Sequence, residues 1–251
     1  MPKALIKTLI LILFIFIGSN PVYAACEDSA QPAVNWANCD LTGINLDHKD
    51  LSNAVLTGAT LDNAVFSGAI LENADFNFSS LKNANFDGAR MLNARLVAVK
   101  AQGASFRKAV LDNSQLSRAL LSNADFTGVR AVNVSFYQAK LEAAIFTGAR
   151  LSKSNFEGTD ISRVNLDLSD LSGAVLRGAR LHETSLRKAN MNKSVLDESD
   201  CQNADFTGAD LTKASFREAE IEESIFTDAI LSDTVWSNYK RCRASSVGKC
   251  E

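Results

Sequence analysis

The segment Ala204–Phe216 reads ADFTGADLTKASF, and a large apolar residue returns at every fifth position, at Phe206, Leu211 and Phe216. A period of five matches neither an α-helix, whose faces repeat at about 3.6 residues, nor a β-strand, whose side chains alternate between two faces. Either element would expose half of these apolar side chains. We therefore expect the chain to turn once per pentapeptide, so that each central residue points to a common axis.

This register is kept without a slip along most of the chain. The 40 central positions from 41 to 236 hold 21 Leu, 11 Phe, 2 Ile, 2 Met, 2 Ala, one Cys and one Trp, and none of them is polar. A small residue, most often Ala, lies two positions before most of the centres. A pattern of this kind predicts a solenoid, in which each unit buries its apolar face only by stacking on its neighbours.

The phenylalanines indicate how many pentapeptides form one coil. All 11 central Phe residues occupy positions that end in 6, which an even number of pentapeptides per coil would stack in register. Two pentapeptides could hardly enclose a core, so four, or 20 residues, is the expected number. The predicted core stack comprises Phe66, Phe86, Phe106, Phe126, Phe146, Cys201, Phe206, Phe226 and Trp236.

Polar residues repeat at the same 20-residue spacing and predict a ladder of turns. The ladder comprises Asn53, Asn73, Asn93, Asn113 and Asn133. Asn tolerates the positive φ that tight turns demand, and stacked amides can bond along an axis. Beyond residue 150 the equivalent corners more often carry charged residues, such as Lys153 and Arg163, and we expect less regular turns there.

These units resemble the pentapeptide-repeat family, whose consensus is a small residue, Asp or Asn, Leu or Phe, a small polar residue or Arg, and often Gly. ADFTG and ADLTK follow it closely. The resemblance implies an all-β fold, a right-handed quadrilateral parallel β-helix (solenoid) of about ten coils of four pentapeptides. The expected organisation is a signal peptide at 1–24, an N-terminal cap at 25–38, the β-helix at 39–238 and a disulfide-closed tail at 239–251.

The first 24 residues have the layout of a secretory signal peptide. Lys3 and Lys7 precede nine apolar residues, Leu9–Ile17, and Val22-Tyr23-Ala24 offers small residues at the two positions that signal peptidase reads. An uncleaved membrane anchor is the alternative, although spanning a bilayer takes roughly 20 residues. We expect a protein exported to the periplasm or the cell exterior and not membrane-spanning once mature.

Five cysteines follow the predicted cleavage site, and four of them lie near the two ends of the mature chain. Since disulfides persist in oxidising compartments, we predict Cys26–Cys39 and Cys242–Cys250 as bonded pairs. Cys201 remains, and its central position in the repeat predicts an inert core residue. Lipidation of Cys26 is a further alternative, but Tyr23 occupies the position where the lipoprotein motif usually has Leu.

Charge is unevenly distributed along a chain whose formal net charge is −3, or −5 without the leader. Residues 81–153 hold 11 basic and four acidic residues, whereas residues 196–233 hold 11 acidic and two basic ones. The basic residues Arg90, Arg95, Lys100, Arg107, Lys108, Arg130 and Arg150 fall on several walls by phase, so the sequence does not support a single binding stripe. We expect the partner to be an unknown protein or an anionic polymer. The simpler explanation of the uneven charge is that these residues lie on solvated surfaces.

The sequence indicates no catalytic site, no metal site and no cofactor. His48 and His182 are far apart, and neither has a metal-ligand pattern around it. We expect a non-catalytic scaffold or protein-interaction module without direct nucleic-acid binding. The resemblance implies that gyrase-binding members dimerise through a C-terminal helix, and because no amphipathic helix follows Trp236 a monomer is favoured. The resemblance implies an alternative, since some members of the family are DNA mimics that bind DNA gyrase and protect it from quinolones or toxins. That role needs a continuous acidic surface in the cytoplasm, and the basic middle and the leader argue against it.

Overall fold

The computed structural model describes residues 26–251, so the predicted signal peptide at 1–24 lies outside the described residues. In the described range the β structure consists of single-residue bridges, and no helix is present there. Each pentapeptide from residue 31 to residue 235 forms a two-residue turn that is followed by one bridge residue. The chain therefore changes direction once every five residues, as the spacing of the apolar centres predicts.

The bridges are parallel and join residues 20 positions apart, which is four pentapeptides. They form four ladders, which begin at Asn35, Asp40, Asn45 and Asp50. Backbone hydrogen bonds run along the same direction: the amide of Leu56 donates to the carbonyl of Asp75 at 2.7 Å. Each coil thus satisfies the backbone groups of its neighbours, which a stack of flat walls requires.

The C-terminal tail folds back on the last coil. Two antiparallel bridges, Ile230↔Val247 and Val235↔Arg241, place it beside two of the four walls. The amide of Cys242 donates to the carbonyl of Thr234 at 2.8 Å. The tail thereby pairs backbone edges that the end of a parallel stack would otherwise leave open.

The turns explain the polar half of the repeat. The second turn residue of each pentapeptide has a positive φ, near 60° at Asn53 and 66° at Gly88. The Asp or Asn on the bridge position stabilises the turn that follows, because its side chain accepts a hydrogen bond from the amide two residues on, as Asp50 does from Ser52 at 3.0 Å. The consensus Asp or Asn is therefore a turn-forming residue.

The expectation of less regular turns beyond residue 150 is wrong. Lys153, Arg163 and Lys193 adopt φ values of 60°, 58° and 60°, within the range of the Asn turns before them. The backbone conformation is imposed by the bridges on either side of the turn. The side chain at this corner therefore changes the local strain and leaves the geometry of the turn unchanged.

The core is a continuous column of buried central residues and buried small residues. Its first large member is Trp36, which lies one pentapeptide before the first centre that the sequence indicates and is 1% exposed. At several positions where Ser or Thr replaces the inward Ala, the hydroxyl donates to a central carbonyl of the preceding coil: Ser154 Oγ bonds Ala131 O, and Thr184 Oγ1 bonds Ile161 O, both at 2.7 Å. These hydroxyls are satisfied inside the core, whereas those of Ser79 and Ser194 are buried without a hydrogen-bond partner among residues 26–251.

Candidate functional site

The cysteines of the two ends are paired in the structure. Cys26 is bonded to Cys39 and Cys242 to Cys250, with Cα atoms 5.5 and 4.8 Å apart. Cys201 is a free cysteine inside the core, and its Sγ lies 3.2 Å from Ser199 Oγ. Burial raises the pKa of the Cys201 thiol to about 12. The thiol is therefore protonated at neutral pH and has no access to a reactant.

The residues of the predicted core stack lie in the core, with a difference at the C-terminal end. Phe66, Phe86, Phe106, Phe126 and Phe146 form one column of parallel rings with centroids 4.5 to 4.9 Å apart. Phe206 and Cys201 are fully buried, whereas Phe226 and Trp236 are only partly buried. These two lie in the last coil, where no further coil covers them, so the predicted core stack is only partly buried at its C-terminal end.

The predicted Asn ladder occupies one corner of five successive coils. Three contacts connect its side chains along the axis: Asn73 donates to Asn53 at 3.3 Å, Asn93 to Asn73 at 3.3 Å, and Asn133 to Asn113 at 2.9 Å. All five residues have positive φ. The ladder is exposed and joined to itself, so it acts as a structural seam of the solenoid.

Residues 26–251 offer little for catalysis. They contain no group of three or more His, Cys, Asp and Glu side chains placed to hold a metal ion, and no helix in that range is long and apolar enough to cross a membrane. Grooves in the same part of the chain are solvent-open notches along the turn edges, such as the one between Leu168 and Lys188. Side chains that could act on a partner are therefore those of the walls.

One of these notches holds a charged cluster. Asp87 accepts hydrogen bonds from the Arg107 guanidinium, with Nε and Oδ2 at 3.0 Å, and from the Ser105 hydroxyl. Burial acts to raise the pKa of Asp87, but the hydrogen bonds from Arg107 and Ser105 outweigh it and hold that pKa below its usual value. The arginine is engaged within its own chain, so this cluster stabilises the stack of coils.

The wall that carries the bridge ladder beginning at Asp40 is different, and we name it the Asp40 wall. Its ladder residues are, in order, Asp40, Thr60, Ser80, Lys100, Leu120, Lys140, Asp160, Arg180, Asp200 and Glu220. Lys100 and Lys140 flank Leu120 and are exposed, and neither has an ion-pair partner within residues 26–251. The middle of this wall therefore presents two uncompensated positive charges to the solvent.

The opposite wall provides an internal comparison. Its ladder begins at Asp50, and we name it the Asp50 wall; there Arg90 and Arg130 flank Val110. Both arginines are engaged within the chain, Arg90 with Glu72 at 2.6 Å and Arg130 with Asp112 at 2.7 Å. Both walls therefore have two basic residues on either side of an apolar one. Only on the Asp40 wall are these two basic residues without an ion-pair partner in the described chain, so that they can bind another molecule.

Further exposed groups line the edge of the Asp40 wall that precedes the ladder. Phe78 is 65% exposed with a φ of 62°, although a left-handed conformation costs a residue with a side chain about 1–2 kcal/mol. Arg118, two coils further along the same edge, is exposed and without an ion pair in the described part of the chain. The sequence could have revealed Phe78, because an aromatic residue occupies a corner where Gly or Asn is usual.

The C-terminal end of the same wall is acidic. Asp200 and Glu220 on the ladder have no cation within ion-pair distance among residues 26–251, and Glu198 and Glu218 lie on the edge beside them. Glu198 has a long contact with Arg177, at 3.5 Å, and Glu218 accepts a hydrogen bond from the Tyr239 hydroxyl. The Asp40 wall therefore carries a positive region and a negative region in sequence along the axis.

The repeat is also found when the sequence is compared with models of known protein families. The family model for pentapeptide repeats matches eight times, at residues 37–73, 61–96, 89–128, 135–173, 154–192, 165–200, 174–212 and 194–233. No curated protein matches the sequence significantly. The eight matches extend over most of the chain.

Solved structures of other repeat proteins are similar in fold. The chain is similar to HetL, a pentapeptide repeat protein involved in heterocyst differentiation regulation from the cyanobacterium Nostoc, at 23% identity and a TM-score of 0.64, over 84% of this chain and 92% of HetL. It is also similar to QnrB1, a plasmid-mediated fluoroquinolone resistance protein, at 22% identity and a TM-score of 0.48, over 68% of this chain and 87% of QnrB1. The likeness to HetL concerns the fold, a quadrilateral β-helix that is right-handed. By its repeats and its fold, this chain belongs to the pentapeptide-repeat family.

Proposed function

We propose that this protein is a non-catalytic, exported scaffold that binds a partner through the Asp40 wall. The observation that carries the proposal is the pair Lys100 and Lys140 around Leu120, whose charges have no partner within residues 26–251, while the equivalent arginines of the Asp50 wall do. A local excess of one sign of charge attracts and steers an oppositely charged partner. The rigid ladder fixes their spacing.

The architecture that we propose for this role is a prism of about ten coils. The expected boundaries are a cap at 25–38, the β-helix at 39–238 and a closed tail at 239–251. A stack of this kind has no mobile domains, so it acts by presenting rows of side chains at fixed distances. Enzymes generally use a concave pocket with convergent polar groups, and the shallow edge notches of the described residues favour a binding role over catalysis.

Export is supported by two independent features. The leader has a basic start, an apolar run and small residues before the predicted cleavage site, and the ends of the described chain carry two disulfides. Disulfides persist in oxidising compartments and are rare in the cytosol. The intact mass of protein expressed with its leader tests this point: we expect the mass of Ala25–Glu251 with one alkylated thiol after denaturation. Five free thiols on an uncleaved chain would contradict export.

The DNA-mimic alternative has weaker support. A surface that imitates duplex DNA needs negative charge along its length, and the central ladder residues Lys100, Lys140 and Arg130 interrupt it on two opposite walls. A supercoiling assay with purified DNA gyrase distinguishes the two proposals. Protection of gyrase from a quinolone by the added protein would favour the alternative, and no effect is the result that we expect.

The interaction itself is tested by photocrosslinking in the exporting host. A photoreactive amino acid replaces Leu120 in one variant and Val110 in the other, since both residues lie on a ladder between two basic residues and are half-buried. We expect a crosslinked product from position 120 and none from position 110. Equal products from both positions, or none from either, would contradict the proposal that the Asp40 wall is the binding surface.

A further inference from the structure

The Asp40 wall limits what kind of partner can lie along it. Lys100 and Lys140 attract an anionic surface, but Asp200 and Glu220 on the same ladder would repel the far end of that surface. A uniformly anionic polymer or membrane therefore matches only part of the wall. The partner that matches the whole wall has its charges in the reverse order.

The chain itself has this reverse order when it is turned end to end. We propose that two copies of this protein pair through their Asp40 walls as an antiparallel dimer, with the twofold axis across the wall at Asp160. This inference rests on the proposed function, in that it takes the Asp40 wall as the interaction surface and names its partner. Such a contact is isologous, so each pair of residues occurs twice.

The charges at the two ends of this part of the ladder match in this arrangement. Lys100 lies three coils before Asp160 and Glu220 lies three coils after it, so each Lys100 meets Glu220 of the partner subunit. Asp200 is two coils from the axis, opposite the partner's Leu120, and therefore lies between the two lysines that flank it. At the centre, Lys140 of the partner subunit lies opposite Arg180, whose charge is neutralised within its own chain by Asp160 at 3.3 Å, so this central contact adds no attraction.

The edge of the wall matches in the same register. A twofold axis that crosses the wall brings each edge against the same edge of the partner. Arg118 and Glu198 lie about two coils on either side of Asp160, so they meet as a pair of opposite charges. Phe78 and Tyr239 lie about four coils on either side, and both are exposed, 65% and 59%. The Tyr239 hydroxyl contact with Glu218 holds the ring on this edge.

This register accounts for three separate features of one wall. It pairs Lys100 with Glu220 on the ladder and Arg118 with Glu198 on the edge, and it places the two exposed aromatic rings opposite each other. The ladder from Lys100 to Glu220 extends over about 30 Å at the usual strand spacing of about 4.8 Å. Exposed ion pairs contribute little each and are screened by salt, so the dimer is expected to be weak and salt-sensitive.

Sedimentation equilibrium of the mature, disulfide-bonded protein tests the dimer. At about 0.03 M salt, where the Debye length is long, we expect dimers that dissociate with a Kd between about 1 µM and about 1 mM. At about 1 M salt we expect monomers, because the Debye length is then about 3 Å. A monomer at every concentration in low salt would overturn the inference, as would a dimer that salt leaves unchanged.

Charge reversal then tests the register. Lys100→Glu and Glu220→Lys should each weaken the dimer at least tenfold, because each places like charges opposite one another. An equimolar mixture of the two variants should form a heterodimer, and the double variant should recover the homodimer, because both restore opposite charges. Arg150→Glu is the matched control: Arg150 is an exposed cation of the Asp50 wall without an ion pair in the described chain, and the dimer should persist.

The outcomes separate this inference from the proposed function. Failure of the mixture and of the double variant to dimerise, with thermal unfolding like that of the unmodified protein, would overturn the antiparallel register. If position 120 crosslinks only to a different molecule and the protein is monomeric in low salt, the wall remains the binding surface and the second copy is excluded as its occupant. A crosslinked product with twice the mass of the chain supports both.

Discussion

Phe126 stacks on Phe146 with ring centroids 4.5 Å apart and planes 4° from parallel. Phe106 covers the other side of the Phe126 ring at 4.7 Å, and Phe136 of the facing wall meets it edge-on at 6.0 Å. Offset-stacked and edge-on arrangements are the favourable ones for aromatic rings. The rise from one coil to the next sets the distance between the Phe126 and Phe146 rings. The 20-residue coil therefore determines both the pairing of the backbone and the packing of the core.

Phe126→Ala should therefore lower the free energy of unfolding by about 3–5 kcal/mol, the usual loss for a buried Phe. Phe126→Leu should cost less than about 1.5 kcal/mol, because Leu166 and Leu186 occupy the same column further along the axis. Denaturant titration followed by circular dichroism measures both values. Equal losses for the two variants would contradict this expectation, because they would show that an aliphatic side chain cannot replace the ring in this column.

Cys201 should be unreactive in the folded protein. Its thiol is fully buried and burial raises its pKa to about 12, so an alkylating reagent at neutral pH should label no cysteine in the native chain and one after denaturation. The raised pKa also makes stability depend on pH. Between the ordinary thiol pKa of 9.0 and about 12 the unfolded chain releases this proton and the folded chain does not, so stability falls as pH rises.

Cys201→Ala removes this contribution, so its stability should fall less steeply above about pH 9 than that of the unmodified protein. Differential scanning calorimetry of both proteins at several alkaline pH values measures the difference. Parallel losses in the two proteins would assign the alkaline instability to other groups, and labelling of the native thiol would contradict its burial.

The fold could be predicted from the sequence because the central residues repeat without interruption. Every central residue is apolar and must face the axis, and a slip in the register would expose a whole wall of Leu and Phe. The corners could not be predicted in the same way, because their backbone is imposed by the bridges: Lys153 and Asn133 adopt the same left-handed turn despite different intrinsic preferences. The intrinsic preference of a corner residue therefore indicates how strained its backbone is, and it does not predict the conformation of the turn.

The surface was harder to predict than the core. Sequence phase assigns a residue to a wall, but it does not say which charges are already partnered within the chain. Arg90 and Lys100 belong to one basic stretch of sequence, yet Arg90 is bound to Glu72 while Lys100 has no such partner in the described chain. The distinction depends on side-chain geometry between neighbouring coils. The unpaired part of the basic stretch is consequently visible only in the structure.

The C-terminal disulfide should hold the tail against the last coil. Replacing both Cys242 and Cys250 with Ser should cost up to about 2–3 kcal/mol of tail stability, because the loop is no longer closed. Hydrogen exchange measured by mass spectrometry should show faster exchange in residues 239–251 and unchanged exchange in the middle coils. The same substitution pair at Cys26 and Cys39 is the control and should leave the exchange of the tail unaltered.

A substitution at Phe78 should change the stability of the fold and the affinity of the dimer in opposite directions. Its left-handed φ strains a residue with a side chain, so Phe78→Gly should stabilise the fold by about 0.5–1 kcal/mol after the added chain entropy of glycine is subtracted. The same change removes the ring that faces Tyr239 of the partner subunit, so dimers in low salt should become weaker. A stability gained at the cost of association is the expected signature of a residue kept for binding.

Ala98 is the matched control for this prediction. It lies one coil along the same edge, with a φ of 55°, and has only a methyl group to lose. Ala98→Gly should therefore raise the free energy of unfolding by a similar amount and leave the Kd of the dimer unchanged. Denaturant titration and sedimentation equilibrium on the two variants measure both quantities. If both glycine variants associate like the unmodified protein, Phe78 has no part in the interface, and its exposure on the Asp40 wall has another cause.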